Sequence, residues 1–181
     1  MKSQNRVKQL LLSTLLTVVA AGTFRVAEAD QLLRPVFPIT PQTQTPGALC
    51  EQADSYRYPE HIKYCERAVS VAQKWTIIRD YETMGYAIEE FRNEFKIDHL
   101  IPLCAGGANS PDNLWPQHQS VYALTDKIEP LLCDVMAAGR ITQADAVILI
   151  RNVKMNPETA DEVFSDLEHK LRSALRDMWA I

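Results

Sequence analysis

The chemistry of this 181-residue chain concentrates in one stretch. Ile97-Asp98-His99-Leu100-Ile101-Pro102-Leu103 is followed by Gly106-Gly107 and then by Asn113-Leu114-Trp115-Pro116-Gln117-His118. An imidazole titrates near neutral pH and suits a general base, whereas a carboxylate suits a hard divalent cation, which prefers oxygen donors. An Asp-His pair on a short apolar run, a Gly-Gly loop and an Asn fourteen residues past the His can bring a base, a metal carboxylate and a loop-fixing amide together. An acid beside an imidazole on an apolar strand would be expensive to bury without such a purpose. Neighbouring strand residues point to opposite faces, so Asp98 and His99 can share one site only if the backbone bends at the strand end.

These residues need elements to hold them. Ser70 stands three residues before Gln73 in a capping-box arrangement, and Val71, Trp75 and Ile78 recur at helical spacing, which predicts a helix over about 70–83 closed by Gly85. Residues 95–98 and 100–104 are short β-prone runs, with Gly106-Gly107 turning the chain. Val121, Leu124, Ile128, Leu131 and Val135 then predict one long helix over about 119–137, kinked at Pro130. Thr142 with Asp145 starts a helix carrying Ala146, Leu149 and Ile150 and stopped by Asn156-Pro157, and a last amphipathic helix carries Phe164, Leu167, Leu171 and Leu175. Trp115 reads as core. The class is α+β, a mostly helical single domain.

The first 29 residues read as a cleaved signal peptide. Lys2, Arg6 and Lys8 form a basic n-region, 10–21 an apolar run too short to span a bilayer, and Ala27-Glu28-Ala29 a cleavage site, so the expected location is periplasmic or secreted, with no stable membrane insertion after cleavage. Residues 30–48, with Pro35, Pro38, Pro41 and Pro46, read as an extended linker, and 49–181 as the domain. Without the signal the chain keeps 15 basic and 22 acidic residues, a net −7, so a nucleic-acid contact would have to be local. Arg67, Lys74, Arg79, Arg92 and Lys96 are candidates for that local patch.

Four cysteines remain in the mature chain, and in an exported protein an even number suggests two disulfides. Of the three connectivities we favour Cys50 with Cys65 and Cys104 with Cys133. A zinc site lacks any C-x-x-C pair, and free thiols or a Cys104 nucleophile beside His99 are the remaining alternatives.

The stretch resembles the HNH endonuclease core, over residues 95–129 and more loosely to about 152. The similarity to an exported bacterial branch rests on Asp98-His99-Leu100-Ile101-Pro102-Leu103, Gly106-Gly107, Asn113-Leu114-Trp115-Pro116-Gln117, and Asp126 with Glu129. The resemblance implies a small ββα-metal core, the bend that unites Asp98 and His99, and Asn113 as the residue fixing the loop and helping to hold the base. It also implies hydrolysis of phosphodiester bonds of DNA, or alternatively RNA, with little sequence preference, by His99 as general base and Asp98 as ligand of one divalent ion. Mg²⁺ is the first expectation for that ion, with Mn²⁺ or Zn²⁺ as alternatives. The family's third ligand position holds Tyr122 here, so the missing ligand is sought among His118, Asp126 and Glu129, in that order. Each also has a bland role, His118 as a helix cap and the two acids as solvated surface groups. Two further readings stand: a catalytically inactive nucleic-acid-binding or structural module, and a secreted nuclease effector or toxin.

Overall fold

The computed structural model describes residues 43–179, the side chain of Met178 excepted. The expected signal peptide and residues 30–42 of the expected linker lie outside them. Residues 43–48 are docked on the domain. Thr45 is buried with its Oγ1 2.7 Å from the Tyr81 hydroxyl, and the backbone N–H groups of Gly47 and Ala48 both donate to the Asp112 carbonyl. Among the described residues no helix is long and apolar enough to cross a membrane.

A small antiparallel hairpin comes first, β1 (Ser55–Arg57) with β2 (Ile62–Tyr64), its turn formed by Tyr58 and His61 in left-handed backbone. The helix α1 (Val71–Thr83) follows, capped by the Ser70 side chain accepting from Gln73 N–H and ended before Gly85 at φ +93°, as the sequence predicts. A second antiparallel hairpin joins β3 (Phe95–His99) to β4 (Leu114–His118), in register from Phe95 opposite His118 to His99 opposite Leu114. The partner strand is therefore not residues 100–104, which bend and enter a 3₁₀ turn at Leu103–Ala105. β4 contains Pro116, which a two-stranded sheet tolerates because each strand needs ladder donors only at alternate positions.

The expected helix over 119–137 is two helices, α2 (Gln119–Thr125) and α3 (Ile128–Ala137). Pro130 explains the break. Its ring would clash with the carbonyl of Asp126, four residues earlier, so the chain restarts and keeps Pro130 in the first turn of α3, where its missing N–H costs nothing. The helix α4 (Gln143–Met155) is capped by Thr142, and α5 (Ala160–Trp179) is the last described element.

Two apolar cores result. One lies between α1 and the β3–β4 hairpin, with Ile77, Ile78, Phe95, Ile97, Leu100 and Trp115; the other lies among α3, α4 and α5, with Ile101, Ile128, Leu132, Ile150 and Leu167. Leu100 and Ile101 are adjacent in sequence and enter different cores. The end of β3 is thus gripped from both sides directly after His99. Two disulfides, Cys50–Cys65 and Cys104–Cys133, complete the fold with the connectivity favoured from sequence. Such bridges persist in oxidising compartments.

Candidate functional site

The pleat of β3 sorts its residues. Phe95, Ile97 and His99 turn inward, while Lys96 and Asp98 face a cleft of about 430 Å³. His99 joins that cleft because the strand ends there and the chain bends at Leu100. The break between α2 and α3 brings Asp126 and Glu129 to the same space. Ligand oxygens of Asp98, Asp126 and Glu129 all lie within 4.8 Å of one another.

Two lysines are interleaved with these acids. Lys96 Nζ is 2.7 Å from both carboxylate oxygens of Asp126, 3.0 Å from Asp98 Oδ2 and 5.0 Å from the centre of the Tyr122 ring. Lys154, on α4, is fully buried: its Nζ donates to the His99 carbonyl at 2.6 Å and lies 2.5 Å from Glu129 Oε1 and 4.0 Å from Asp98 Oδ2. Burial pushes the Asp98 carboxyl up, but Lys154 and Lys96 outweigh it and hold its pKa below the ordinary value. For Glu129 burial is the largest effect and, with the Asp98 charge, it prevails over Lys154, so that carboxyl is raised. Burial also lowers the Lys96 ammonium, yet Asp126 and Asp98 win and keep it charged to higher pH.

His99 is 3% exposed. Burial depresses its pKa, against a partial upward pull from its Asn109 hydrogen bond and from Asp98. That lowering favours the neutral ring, the state a proton acceptor requires. Its Nε2 lies 3.0 Å from Asn109 Oδ1.

Asn113 is completely buried and clamps the loop that follows His99. Its Oδ1 accepts from Ile101 N–H at 2.8 Å, and its Nδ2 donates to the carbonyls of Ile101 and Ala108 at 2.9 and 3.0 Å. Gly107 is obligatory in this loop, since a Cβ there would stand 1.9 Å from the Ile101 carbonyl oxygen. Asn113 thus positions the loop from outside the cleft and is not among the groups lining it.

His118, ranked first as the missing ligand, sits elsewhere. Its Nδ1 accepts from Ser120 N–H as the N-cap of α2, its Nε2 is 3.0 Å from Glu94 Oε2, and its ring packs edge-on against Phe95. As the first residue opposite Phe95 in the register it ends β4 and starts α2, and capping is what that position demands of it. The acids Asp126 and Glu129, ranked below it, are the ones beside Asp98.

Of the five expected basic residues only Arg67 and Lys96 line the cleft, and Lys96 is engaged by acids; Arg57, with its guanidinium carbon 3.3 Å from the Tyr64 ring centre, lines it too. Arg57, Lys154 and Asn109 escape a reading centred on the motif. A lysine at the end of the apolar Ala146, Ile150, Val153 face is the one sequence signal that pointed to Lys154.

The donor set fits a hard divalent cation. Three carboxylates offer oxygen only, with no imidazole or thiolate among them, which suits Mg²⁺ or Mn²⁺ better than Zn²⁺. Lys96 already places a positive charge between Asp98 and Asp126, so an incoming ion would exchange with that ammonium. The chain matches no family of known proteins, no curated protein and no solved structure.

Proposed function

We propose that this chain is an exported, metal-dependent endonuclease of the HNH type that hydrolyses phosphodiester bonds of DNA, with RNA as the alternative substrate and little sequence preference. The carrying observation is that a largely buried imidazole, three carboxylates and two arginines line one cleft. The order β3, β4, α2 around His99 agrees with a ββα-metal core, and the two disulfides agree with export.

In this reading His99 takes a proton from the attacking water at Nδ1, the ring nitrogen that Asn109 does not hold. Asp98, Asp126 and Glu129 would hold the ion, which when bound absorbs charge on the phosphate and lowers the pKa of water. Arg57 and Arg67, which line the same cleft, would meet the substrate's phosphates, a local cationic contact on an otherwise acidic chain. Lys154 holds the His99 carbonyl, and through it the end of β3, in place.

One observation favours the inactive-module reading: Lys96 and Lys154 already neutralise most of the acidic cluster. Plasmid nicking by the oxidised chain separates the two. The nuclease reading expects relaxed circles with Mg²⁺ or Mn²⁺, none with a chelator, and a loss of about 10²–10⁴ in rate for His99→Ala. Equal cutting by His99→Ala, or none by the parent with any divalent ion, would sink it and leave the module. The effector reading shares this chemistry and differs only in whose nucleic acid is cut.

A further inference from the structure

A histidine at a strand end has two tautomers and a rotatable ring open to it unless neighbours fix both. Asn109 does this for His99 through Oδ1, 3.0 Å from His99 Nε2. The Asn109 carboxamide cannot turn over, because its Nδ2 donates to the main-chain carbonyl of Glu66 at 2.6 Å; flipped, two oxygens would face each other. Oδ1 therefore accepts, His99 Nε2 donates, and the lone pair lies on Nδ1.

The fixed point of this relay is the Glu66 carbonyl, which belongs to no helix or strand: β2 ends at Tyr64 and α1 begins at Val71. Two restraints hold it. Glu66 N–H donates to Asp54 Oδ2 at 2.8 Å, and its neighbour Cys65 is bonded to Cys50. Cys50 is 4% exposed and tied to the loop that carries Asn109, its N–H donating to the Gly106 carbonyl at 2.8 Å, while Ala108 N–H donates to the Ala48 carbonyl at 3.0 Å. The bridge thus closes a ring of contacts, from Cys50 through Cys65 and Glu66 to Asn109 and back along 106–108 to Cys50. Cys104–Cys133 takes no part in it.

We propose that the Cys50–Cys65 disulfide is a positioning element for His99, acting through the Glu66 carbonyl and the Asn109 carboxamide to keep the proton on Nε2 and the lone pair on Nδ1. The inference deepens the nuclease reading, on which its catalytic meaning rests.

Its test reads the imidazole and not cleavage. In metal-free protein with isotope-labelled histidine, the four side chains are told apart by substituting each in turn. The His99 proton should reside on Nε2 and exchange slowly with water. In Asn109→Leu and in the double variant Cys50→Ser/Cys65→Ser, both checked for folding by circular dichroism, exchange should quicken about tenfold or the signal vanish, the scale of one lost buried hydrogen bond. Glu66→Ala should leave it unchanged, since only the main chain is used. A proton on Nδ1 in the parent, or a slow Nε2 proton surviving in either folded variant, overturns the proposal. Should the serine pair fail to fold, the same exchange is read in folded parent protein after reduction of the Cys50–Cys65 bridge, where a slow Nε2 proton equally overturns the proposal. Inactive protein with the slow Nε2 proton would keep this inference and refute the nuclease reading; active protein without it would do the reverse.

Discussion

Replacing Lys154 by methionine withdraws a cation from the inside of the acidic cluster while keeping the apolar stem that packs in α4. The ammonium has no exposed surface, and its loss leaves Glu129 without its ion pair and the His99 carbonyl without its donor. Lys96 acts on Glu129 more weakly than Lys154 does, and its direct partners are Asp98 and Asp126. Removing one member of a buried pair costs about 3–5 kcal/mol, so urea unfolding at neutral pH should register a loss of that size. For a domain of this length that lowers Tm by about 10–20 °C. The pH dependence follows from Glu129. Its folded pKa is already above the ordinary 4.5 through burial, and without Lys154 it rises further. A carboxyl raised in the folded state binds more protons folded than unfolded, so the variant gains stability as pH falls from its folded pKa towards 4.5. The deficit should be largest above neutral pH and shrink in mild acid. A loss below about 1 kcal/mol, or one equal at both ends of the range, would refute the assignment of Lys154 as a needed counter-charge.

Asn113→Ala strips three hydrogen bonds from a buried loop and should cost about 2–4 kcal/mol in urea unfolding, while a cost near zero would mean the loop holds itself. His118→Ala should cost about 1 kcal/mol by uncapping α2 and leave a metal titration unmoved; weaker metal binding would return His118 to the ligand set. Because burial holds His99 below its ordinary 6.5, the neutral base persists into more acidic solution, and the acid limb of kcat/KM should fall below that value. A limb at or above it would count against His99 as the base.

Local signals were legible in the sequence, and distant ones were not. Ser70, Thr142 and Gly85 act within a turn of their own position, so the ends of α1 and the start of α4 could be read directly. The motif placed Asp98 and His99 at a strand end correctly, but it hid the partner strand, because Pro116 argues against any strand until the sheet is known to have only two. Pro130 announced a disturbance, and only the clash with the Asp126 carbonyl decides that it is a break instead of a kink. His118 entered the ligand set because imidazoles are good ligands, and its contacts with Glu94 and Ser120 show only in the fold. Arg57 lines the cleft and Lys154 reaches the His99 carbonyl from positions roughly forty and fifty-five residues from His99, a proximity that only tertiary folding creates.

The burial of Lys154 also sets an order of events. Three carboxylates closing to within a few ångströms would repel one another in a chain that had to wait for an ion, and the domain would then fold only as fast as it was loaded. With the buried Lys154 ammonium against Glu129 and the Lys96 ammonium between Asp98 and Asp126, the protein itself supplies positive charge that lets the three carboxylates stand together. On the nuclease proposal, folding and loading would then be separate steps. On the same proposal an incoming ion would displace Lys96, the partly exposed partner, while the buried Lys154 would stay in place.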